Sequence, residues 1–176
     1  SIRYSYDKER LVQIDYPKYF QNKIQIHYGS PNDSLNRAGR VWLLEDAAGG
    51  REFTYNINGE IAKTIRTTMV NRSNVFTFVW ENEFDTWGRI QKMIYPDGEV
   101  VDFKYDKGGN LLAMTGEKLG TTYPIIHQLG YNKFEERVFL EYGNGTTTTY
   151  EFEPGKRRIS ALNSLNTNGN KLRTYS

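Results

Sequence analysis

The chain has 176 residues, enough for one domain with a sizeable core, and its formal net charge of only +2 gives no basic surplus that would indicate nucleic-acid binding. It contains no cysteine, which excludes disulfides and cysteine-based zinc sites, and no apolar run approaches the roughly 20 residues of a membrane helix. Aromatic residues make up 14% of the chain, and its 13 Tyr and 16 Gly favour strands and tight turns over helices.

The first 34 residues contain one hairpin phrase and two irregular stretches. The phrase is Tyr6-Asp7-Lys8-Glu9-Arg10-Leu11, and the strand-like opening before it does not predict a signal peptide. Proline at position 17 predicts that Pro17–Phe20 is an edge strand or a loop, because proline cannot donate to a central ladder. Residues 29–34, Gly-Ser-Pro-Asn-Asp-Ser, are typical of an exposed loop.

A seven-residue phrase, aromatic-Asx-x-x-Gly-x-aliphatic, then recurs along the chain. Its clear copies start at Leu35, Tyr55, Phe84 and Tyr105, looser copies start at Tyr6, Phe152 and Leu165, and the copy at Tyr131 lacks the glycine. The Asx side chain can accept a backbone N–H two residues on, and glycine adopts the left-handed conformation that closes the turn. Each copy therefore predicts a hairpin with a loop of four or five residues.

Between the phrases lie alternating stretches that predict strands. Residues 100–105 place Val101, Phe103 and Tyr105 on one face, and the threonine run at 146–149 continues into a β-branched and aromatic strand. Residues 75–80 carry apolar side chains on both faces, and the weak helix candidate at 60–66 fits a strand equally well. We therefore predict an all-β protein, an antiparallel array of hairpins in a curved, twisted sheet.

The aromatic positions repeat in register 47 residues apart. Phe84, Tyr95 and Tyr105 are followed at that spacing by Tyr131, Tyr142 and Phe152. Such a period is typical of a repeat protein, with units at approximately 35–61, 84–111 and 131–159. Both ends of the chain lie in repeat-like phrases without distinct capping units, so we expect residues 1–176 to be a single array excised from a longer one.

The recurrence assigns most of the chemistry-bearing residues to turn geometry rather than to an active site. We expect structural roles in the repeated turns for these six residues: Asp85, Gly88, Asp97, Gly98, Asp106 and Gly109. His27 and His127 lie 100 residues apart without evident partners, and no twelve-residue calcium loop is present. The sequence therefore predicts no catalytic residue, no metal and no cofactor, and hence a protein that is not an enzyme.

Trp87 is the candidate ligand contact, because it occupies a turn position where most copies carry Gly, Ala or Asn. An exposed tryptophan at a turn can stack on a sugar ring, and the alternative is that Trp87 packs on a neighbouring repeat. A carbohydrate- or protein-binding surface module is accordingly the second functional class that the sequence leaves open.

The phrases resemble the YD repeats of the Rhs (rearrangement hotspot) proteins. The resemblance rests on Tyr105-Asp106-Lys107-Gly108-Gly109-Asn110-Leu111, on Phe84-Asp85-Thr86-Trp87-Gly88-Arg89-Ile90 and on the turns Tyr95-Pro96-Asp97-Gly98 and Tyr142-Gly143-Asn144-Gly145. The stretch at 142–154 is also similar to the repeats in the B component of insecticidal toxin complexes. No Asp-Pro-x-Gly segment matches the autoproteolytic core of bacterial Rhs proteins, so no catalytic residue is carried over.

The resemblance implies a long sheet that spirals into a hollow shell around a C-terminal toxic domain. This chain would then be a segment of the shell wall in a secreted or cell-surface bacterial protein. Its partners would be neighbouring repeats of the parent chain and the enclosed toxin domain, with a glycan in the alternative and with neither nucleic acid nor a membrane span. The wall segment alone would also self-associate through its edge strands.

Overall fold

The computed structural model describes residues 1–70 and 73–175, and these residues form an all-β antiparallel fold. The predicted fold class is confirmed. All but the first residue of the weak helix candidate at 60–66 lie in the strand Ile61–Val70. The helical structure among the described residues is one turn of 3₁₀ helix, Phe20–Asn22, which follows Pro17. No helix in the described part of the chain has the length and apolar character needed to cross a membrane.

The chain divides into two compact units, residues 1–96 and 97–176. The described strands of the first unit are β1 Arg3–Asp7, β2 Arg10–Asp15, β3 Ile24–Tyr28, β4 Val41–Asp46, β5 Gly49–Tyr55, β6 Ile61–Val70, β7 Asn74–Phe84 and β8 Ile90–Ile94. The described strands of the second unit are β9 Val100–Tyr105, β10 Leu111–Lys118, β11 Thr121–Tyr131, β12 Arg137–Tyr142, β13 Thr147–Phe152, β14 Ile159–Leu165 and β15 Lys171–Tyr175. Within each unit, every strand pairs antiparallel with the next strand in the chain.

The hairpin phrases close their loops in one common way. In the copy at Tyr55, the Asn56 side-chain oxygen accepts the backbone N–H groups of Asn58, Gly59 and Glu60, each at 3.0 Å. Tyr55 is then the cross-strand partner of Ile61, with a register shift at that point. A turn followed by a left-handed residue and a bulge accounts for this arrangement, which adds one residue to the loop and increases the local twist.

The 47-residue period applies to the positions of whole strands and not only to the aromatic residues. β7 and β11 each have eleven residues and start at positions 74 and 121, while β8 and β12 start at 90 and 137. β9 and β13 match at both ends, since Val100–Tyr105 is followed by Thr147–Phe152. Strands of nearly equal length therefore recur at a constant interval along this part of the chain.

Within each unit, the loops of consecutive hairpins lie alternately at the two ends of the strands. Loops that follow odd-numbered strands lie at one edge of a unit, which we name the phrase rim because it carries the phrases at 6, 35, 55 and 84 in the first unit and those at 105, 131 and 152 in the second. The phrase at Leu165 follows β14 and lies at the other rim, as does the Gly143-Asn144-Gly145 turn. Seven of the eight copies of the phrase thus lie on the phrase rim.

Few apolar side chains are fully buried. Among the described residues, those that are buried are Val101, Leu129 and Leu140, all in the second unit. Thr148 is also buried, and its hydroxyl lies 3.0 Å from that of Ser164 on the neighbouring strand. Most other apolar side chains remain partly accessible, so the strands pack mainly against their neighbours within the sheet.

Candidate functional site: exposed aromatic turns on the phrase rim

The turn at Asp85 is held by its own side chain. The Asp85 Oδ1 atom accepts the backbone N–H groups of Trp87 at 2.9 Å and Arg89 at 3.0 Å, and Gly88 N–H donates to the Asp85 carbonyl at 3.1 Å. Gly88 has a φ of 75°, and a β-carbon there would lie 2.8 Å from Glu60 Oε1 of the preceding phrase. The left-handed conformation favours glycine here, and a side chain at this position would also displace the Glu60 carboxylate.

Trp87 projects from this turn and is 68% exposed. The Arg89 guanidinium carbon lies 4.9 Å from the ring centroid, within the range of a cation–π contact. Arg89 is itself fixed by Asp85, whose Oδ2 accepts Nε at 2.7 Å and pairs with Nη2 at 2.6 Å. The guanidinium of Arg89 therefore packs against the indole of Trp87, while Trp87 stays largely accessible to solvent.

The same arrangement supports the ionised form of Asp85. Burial acts to raise the pKa of its carboxyl, but the hydrogen bonds from the Arg89 side chain and from the backbone N–H groups of Arg89 and Trp87 outweigh it, so the pKa lies below its ordinary value. The carboxylate is thus a structural acceptor, well suited to holding the turn and poorly suited to carrying a proton.

Phe134 occupies the equivalent place in the second unit, 47 residues after Trp87. Phe134 is 52% exposed, and Asn132 Oδ1 accepts its backbone N–H at 2.9 Å, as Asp85 Oδ1 accepts that of Trp87. The Arg157 guanidinium carbon lies 5.0 Å from the ring centroid, and Arg157 is fixed by bonds to the Phe134 carbonyl at 2.8 Å and to Glu136 Oε1 at 2.7 Å. Each aromatic turn is therefore paired with a guanidinium, although from a different sequence position.

Phe134 is a candidate that the phrase pattern of the sequence does not indicate. Trp87 stands out when the phrases are compared one by one, because most copies have a small residue there. The 47-residue register, which is defined by the tyrosines, places Phe134 opposite it. The signal was present but was obscured because the copy at Tyr131 lacks the phrase glycine: Glu135 takes the left-handed conformation there, with a φ of 62°.

The remaining turn residues named from the sequence lie in separate turns with local partners. Asp97 accepts the Glu99 N–H at 3.2 Å and pairs with Lys118, whose hydrogen bond is the main cause of the lowered Asp97 pKa. Gly98 follows it with a φ of 82°. These contacts account for the turn at 95–98 without a ligand.

Asp106 and Gly109 close the turn after β9. Asp106 Oδ1 accepts the Asn110 N–H at 2.8 Å, which is the main reason for its lowered pKa, and Gly109 N–H donates to the Asp106 carbonyl at 3.2 Å. Asp97 precedes β9 and Asp106 follows it, so a strand of six residues, roughly 20 Å long, separates them. A glycosidase pair needs carboxylates within about 10 Å, so these two cannot form one.

The two histidines each have a glutamate on the neighbouring strand. His27 Nε2 lies 2.7 Å from Glu45 Oε2, and His127 Nδ1 lies 3.1 Å from Glu141 Oε2. Trp42 lies beside His27, with ring centroids 6.2 Å apart. Among the described residues, no group of three or more His, Asp or Glu side chains is arranged to hold a metal ion.

Comparison with known proteins gives matches of structure alone. No protein-family model matches the sequence, and no curated protein is significantly similar to it. The crystal structure of TcdB2-TccC3 covers 99% of this chain with a TM-score of 0.80 at 17% identity, and the match spans 10% of that protein's chain. TcdB2-TccC3 without its hypervariable C-terminal region gives a TM-score of 0.80, and the Tc holotoxin pore of Photorhabdus luminescens gives 0.77, each at 17% identity over 99% of this chain and 9% of theirs.

At this identity the likeness establishes the fold. The chain has the fold of a segment of those toxin-complex proteins, which confirms the fold expected from the resemblance to Rhs repeats. The chain spans about a tenth of the length of the chains it matches.

Proposed function

We propose that this chain is a segment of the wall of an Rhs-type repeat shell, which encloses and shields a C-terminal toxin domain in a secreted or cell-surface bacterial protein. The observation that carries the proposal is the recurrence of whole strands at a 47-residue interval, from β7–β9 to β11–β13. A sheet that grows by equal additions can be lengthened without changing its local structure, which is what a large enclosure needs.

The extent of exposed surface supports a role in a larger assembly. The chain exposes 12259 Å² at a mass of 20.5 kDa, whereas a compact monomer of that mass exposes about 8,900 Å². Much apolar surface that a compact domain would bury is thus accessible. In the parent protein, neighbouring repeats and the enclosed domain would cover part of it.

The function of such a wall is exclusion and not catalysis. The carboxylates of the repeated turns are committed to backbone N–H groups and to neighbouring cations, as Asp85 and Asp97 show. The matched toxin-complex chains support the proposal through their fold, and one of them is known in a form without a hypervariable C-terminal region. A variable C-terminal cargo behind a constant wall fits the same arrangement here.

The test uses the intact parent protein. Limited proteolysis should leave its C-terminal domain uncut under conditions that degrade the same domain expressed alone, and host cells should tolerate the parent protein better than the free domain. A parent protein whose C-terminal domain is cut as fast as the free domain would contradict enclosure. A parent protein that has no further domain after the repeats would contradict it as well.

A second candidate function is favoured by the two aromatic turns. Trp87 and Phe134 occupy equivalent turns, each on the phrase rim of its own unit, and both are more than half exposed. This placement suits stacking on a sugar ring or on a partner's side chain. A glycan array probed with the 176-residue chain tests this role. Binding should be lost in Trp87→Ala and weakened in Phe134→Ala, while Ile57→Ala, an exposed turn residue without a ring, should leave it unchanged.

A further inference from the structure

The hairpin formed by β6 and β7 extends beyond the strand that follows it. β7 pairs with β6 along its length, from Asn74 opposite Val70 to Glu81 opposite Lys63. β8 pairs with β7 only through Glu81–Phe84. Among the described residues, β7 residues 74–80 therefore have no strand on their outer side, and we name this stretch the β7 overhang.

The β7 overhang has none of the features that normally protect an edge strand. Its sequence, Asn-Val-Phe-Thr-Phe-Val-Trp, contains no charged residue and no proline. Val75 is 59%, Phe76 49% and Phe78 42% exposed. An uncharged, β-branched and aromatic edge of this length readily accepts another strand.

The second unit contains the matched case, in which the edge is protected. β11 also extends beyond its following strand, but Pro124 lies in this part and lacks an N–H group. The Tyr123 ring is held over Gly116 of the neighbouring strand, and its hydroxyl contacts Glu99. The same position of the repeat is therefore closed to strand addition in one copy and open in the other.

The β7 overhang is also self-complementary. Residues 75–79, Val-Phe-Thr-Phe-Val, read the same in both directions. Antiparallel pairing of two copies about Thr77 places Val75 opposite Val79, Phe76 opposite Phe78, and Thr77 opposite its own counterpart. A two-fold interface requires this kind of self-complementarity, and aromatic and β-branched cross-strand pairs are favourable ones.

The length of the overhang fits the same pairing. With Thr77 on the two-fold axis, Asn74 of one copy lies opposite Trp80 of the other. Trp80 is the last residue before the part of β7 that pairs with β8, which begins at Glu81. Each overhang therefore covers the open edge of the other, and the pairing ends where β7 starts to pair with its own β8.

We propose that the β7 overhang is an interaction edge whose partner is the same edge of a second copy of this chain, paired antiparallel about Thr77. The inference does not depend on the proposed function, since it rests on the register of β6–β8 and on the palindrome. It also differs from association through the first and last strands of the array, because it uses an edge inside the chain.

Charge substitutions at the two-fold position test the pairing. The 176-residue chain should sediment as a species of twice 20.5 kDa at micromolar concentrations. Thr77→Lys should shift it to the monomer, because two lysines then face each other across the axis, and Thr77→Glu should do the same. An equimolar mixture of the two variants should restore the dimer, which separates lost pairing from lost folding.

The control is Thr122→Lys, which adds the same charge to the exposed overhang of β11 and should leave the dimer intact. A chain that is monomeric throughout the concentration range overturns the proposal, even if it captures an extended peptide of another protein. A dimer that persists in both single variants also overturns it, because the contact then lies elsewhere.

Discussion

Gly116 lies directly beneath the ring of Tyr123, its cross-strand partner on β11. A β-carbon built on Gly116 would come within 2.6 Å of the ring carbon Cε2 and 2.7 Å of Cζ. An aromatic ring can cover a strand glycine in this way, which offsets the loss of side-chain packing that glycine would otherwise cause.

Gly116→Ala should therefore destabilise the chain, although alanine is normally the better strand residue. The added methyl group must displace the Tyr123 ring, and we expect a loss of about 1–3 kcal/mol in the free energy of unfolding, measured by urea denaturation. Gly50→Ala is the control, because its β-carbon would lie 3.4 Å from Leu43 Cδ1, in near-normal contact, at a strand position without positive φ. Equal effects of the two substitutions would argue against the packing described for Tyr123.

Glu135 is a non-glycine residue at the left-handed position of its turn. Its φ of 62° matches the place where Gly88 has 75°, and the left-handed conformation costs a side-chain-bearing residue about 1–2 kcal/mol. Glu135→Gly should raise the free energy of unfolding by roughly 1 kcal/mol, which a shift in the thermal midpoint would report. Lys133→Gly, a neighbouring exposed turn residue without positive φ, should lower stability instead. A loss of stability in both variants would contradict the strain at Glu135.

Two tyrosine hydroxyl groups each donate a hydrogen bond to a backbone carbonyl at the start of an earlier strand, where one of the repeated phrases ends. Tyr28 Oη donates to the Leu11 carbonyl at 3.0 Å, and Tyr55 Oη donates to the Val41 carbonyl at 2.6 Å. In each case the arginine before the acceptor, Arg10 or Arg40, lies over the ring. Burial also raises the pKa of the Tyr55 hydroxyl, with the nearby arginines opposing it, so the group remains a donor over the working range of pH.

Tyr55→Phe should cost about 1 kcal/mol in the free energy of unfolding, because the Val41 carbonyl loses its donor. We expect a similar loss for Tyr28→Phe, because the Leu11 carbonyl then loses its donor in the same way. Tyr4→Phe, at an exposed ring in β1, should be neutral and serves as the control. A neutral result for Tyr55→Phe would indicate that the hydroxyl bond is replaced by water at no cost.

Acid should unfold the chain through its turn aspartates. The pKa values of Asp85, Asp97 and Asp106 are lowered, so their contribution to stability is present above the unfolded-state pKa of about 4 and is lost as the pH falls through the lower folded-state values. For the Asp97–Lys118 pair, the contribution is lost again at high pH as Lys118 titrates through its raised pKa.

The thermal midpoint measured from pH 7 to pH 2 checks this dependence. Asp97→Asn and Asp106→Asn should each lower the midpoint at pH 7 and flatten the acid limb, because each removes one of the titrating groups. Profiles that stay parallel to that of the unchanged chain would place the acid sensitivity in other carboxylates.

The hairpin order and the turn chemistry could be predicted from the sequence because both depend on local signals. The phrase at Tyr55 contains the acceptor, the glycine and the flanking strand residues of one turn, and the strand boundaries follow from it. Of the two exposed aromatic turn residues, the sequence indicates Trp87 but not Phe134, because Glu135 replaces the glycine that marks most of the other copies of the phrase.

The β7 overhang could not be predicted, because it depends on where pairing stops and not on residue type. Residues 75–80 have apolar side chains on both faces, which the sequence indicates. That no described strand lies on their outer side follows from the length of β8. The cover of Tyr123 over Gly116 is similarly a matter of cross-strand register, which single-strand patterns do not define.

The alternation of loops between rims also separates two kinds of evolutionary change. The phrases at Tyr55 and Tyr105 are 50 residues apart, and those at Tyr105 and Phe152 are 47 apart. All three nevertheless join an odd-numbered strand to the next strand in the chain. The three extra residues of the first interval lie between Ile61 and Asn74, in a hairpin at the other rim, where β6 has ten residues and β10 has eight. Each rim can therefore acquire insertions or new surface residues independently of the other, and the chain offers two separately addressable borders for grafted loops or peptides.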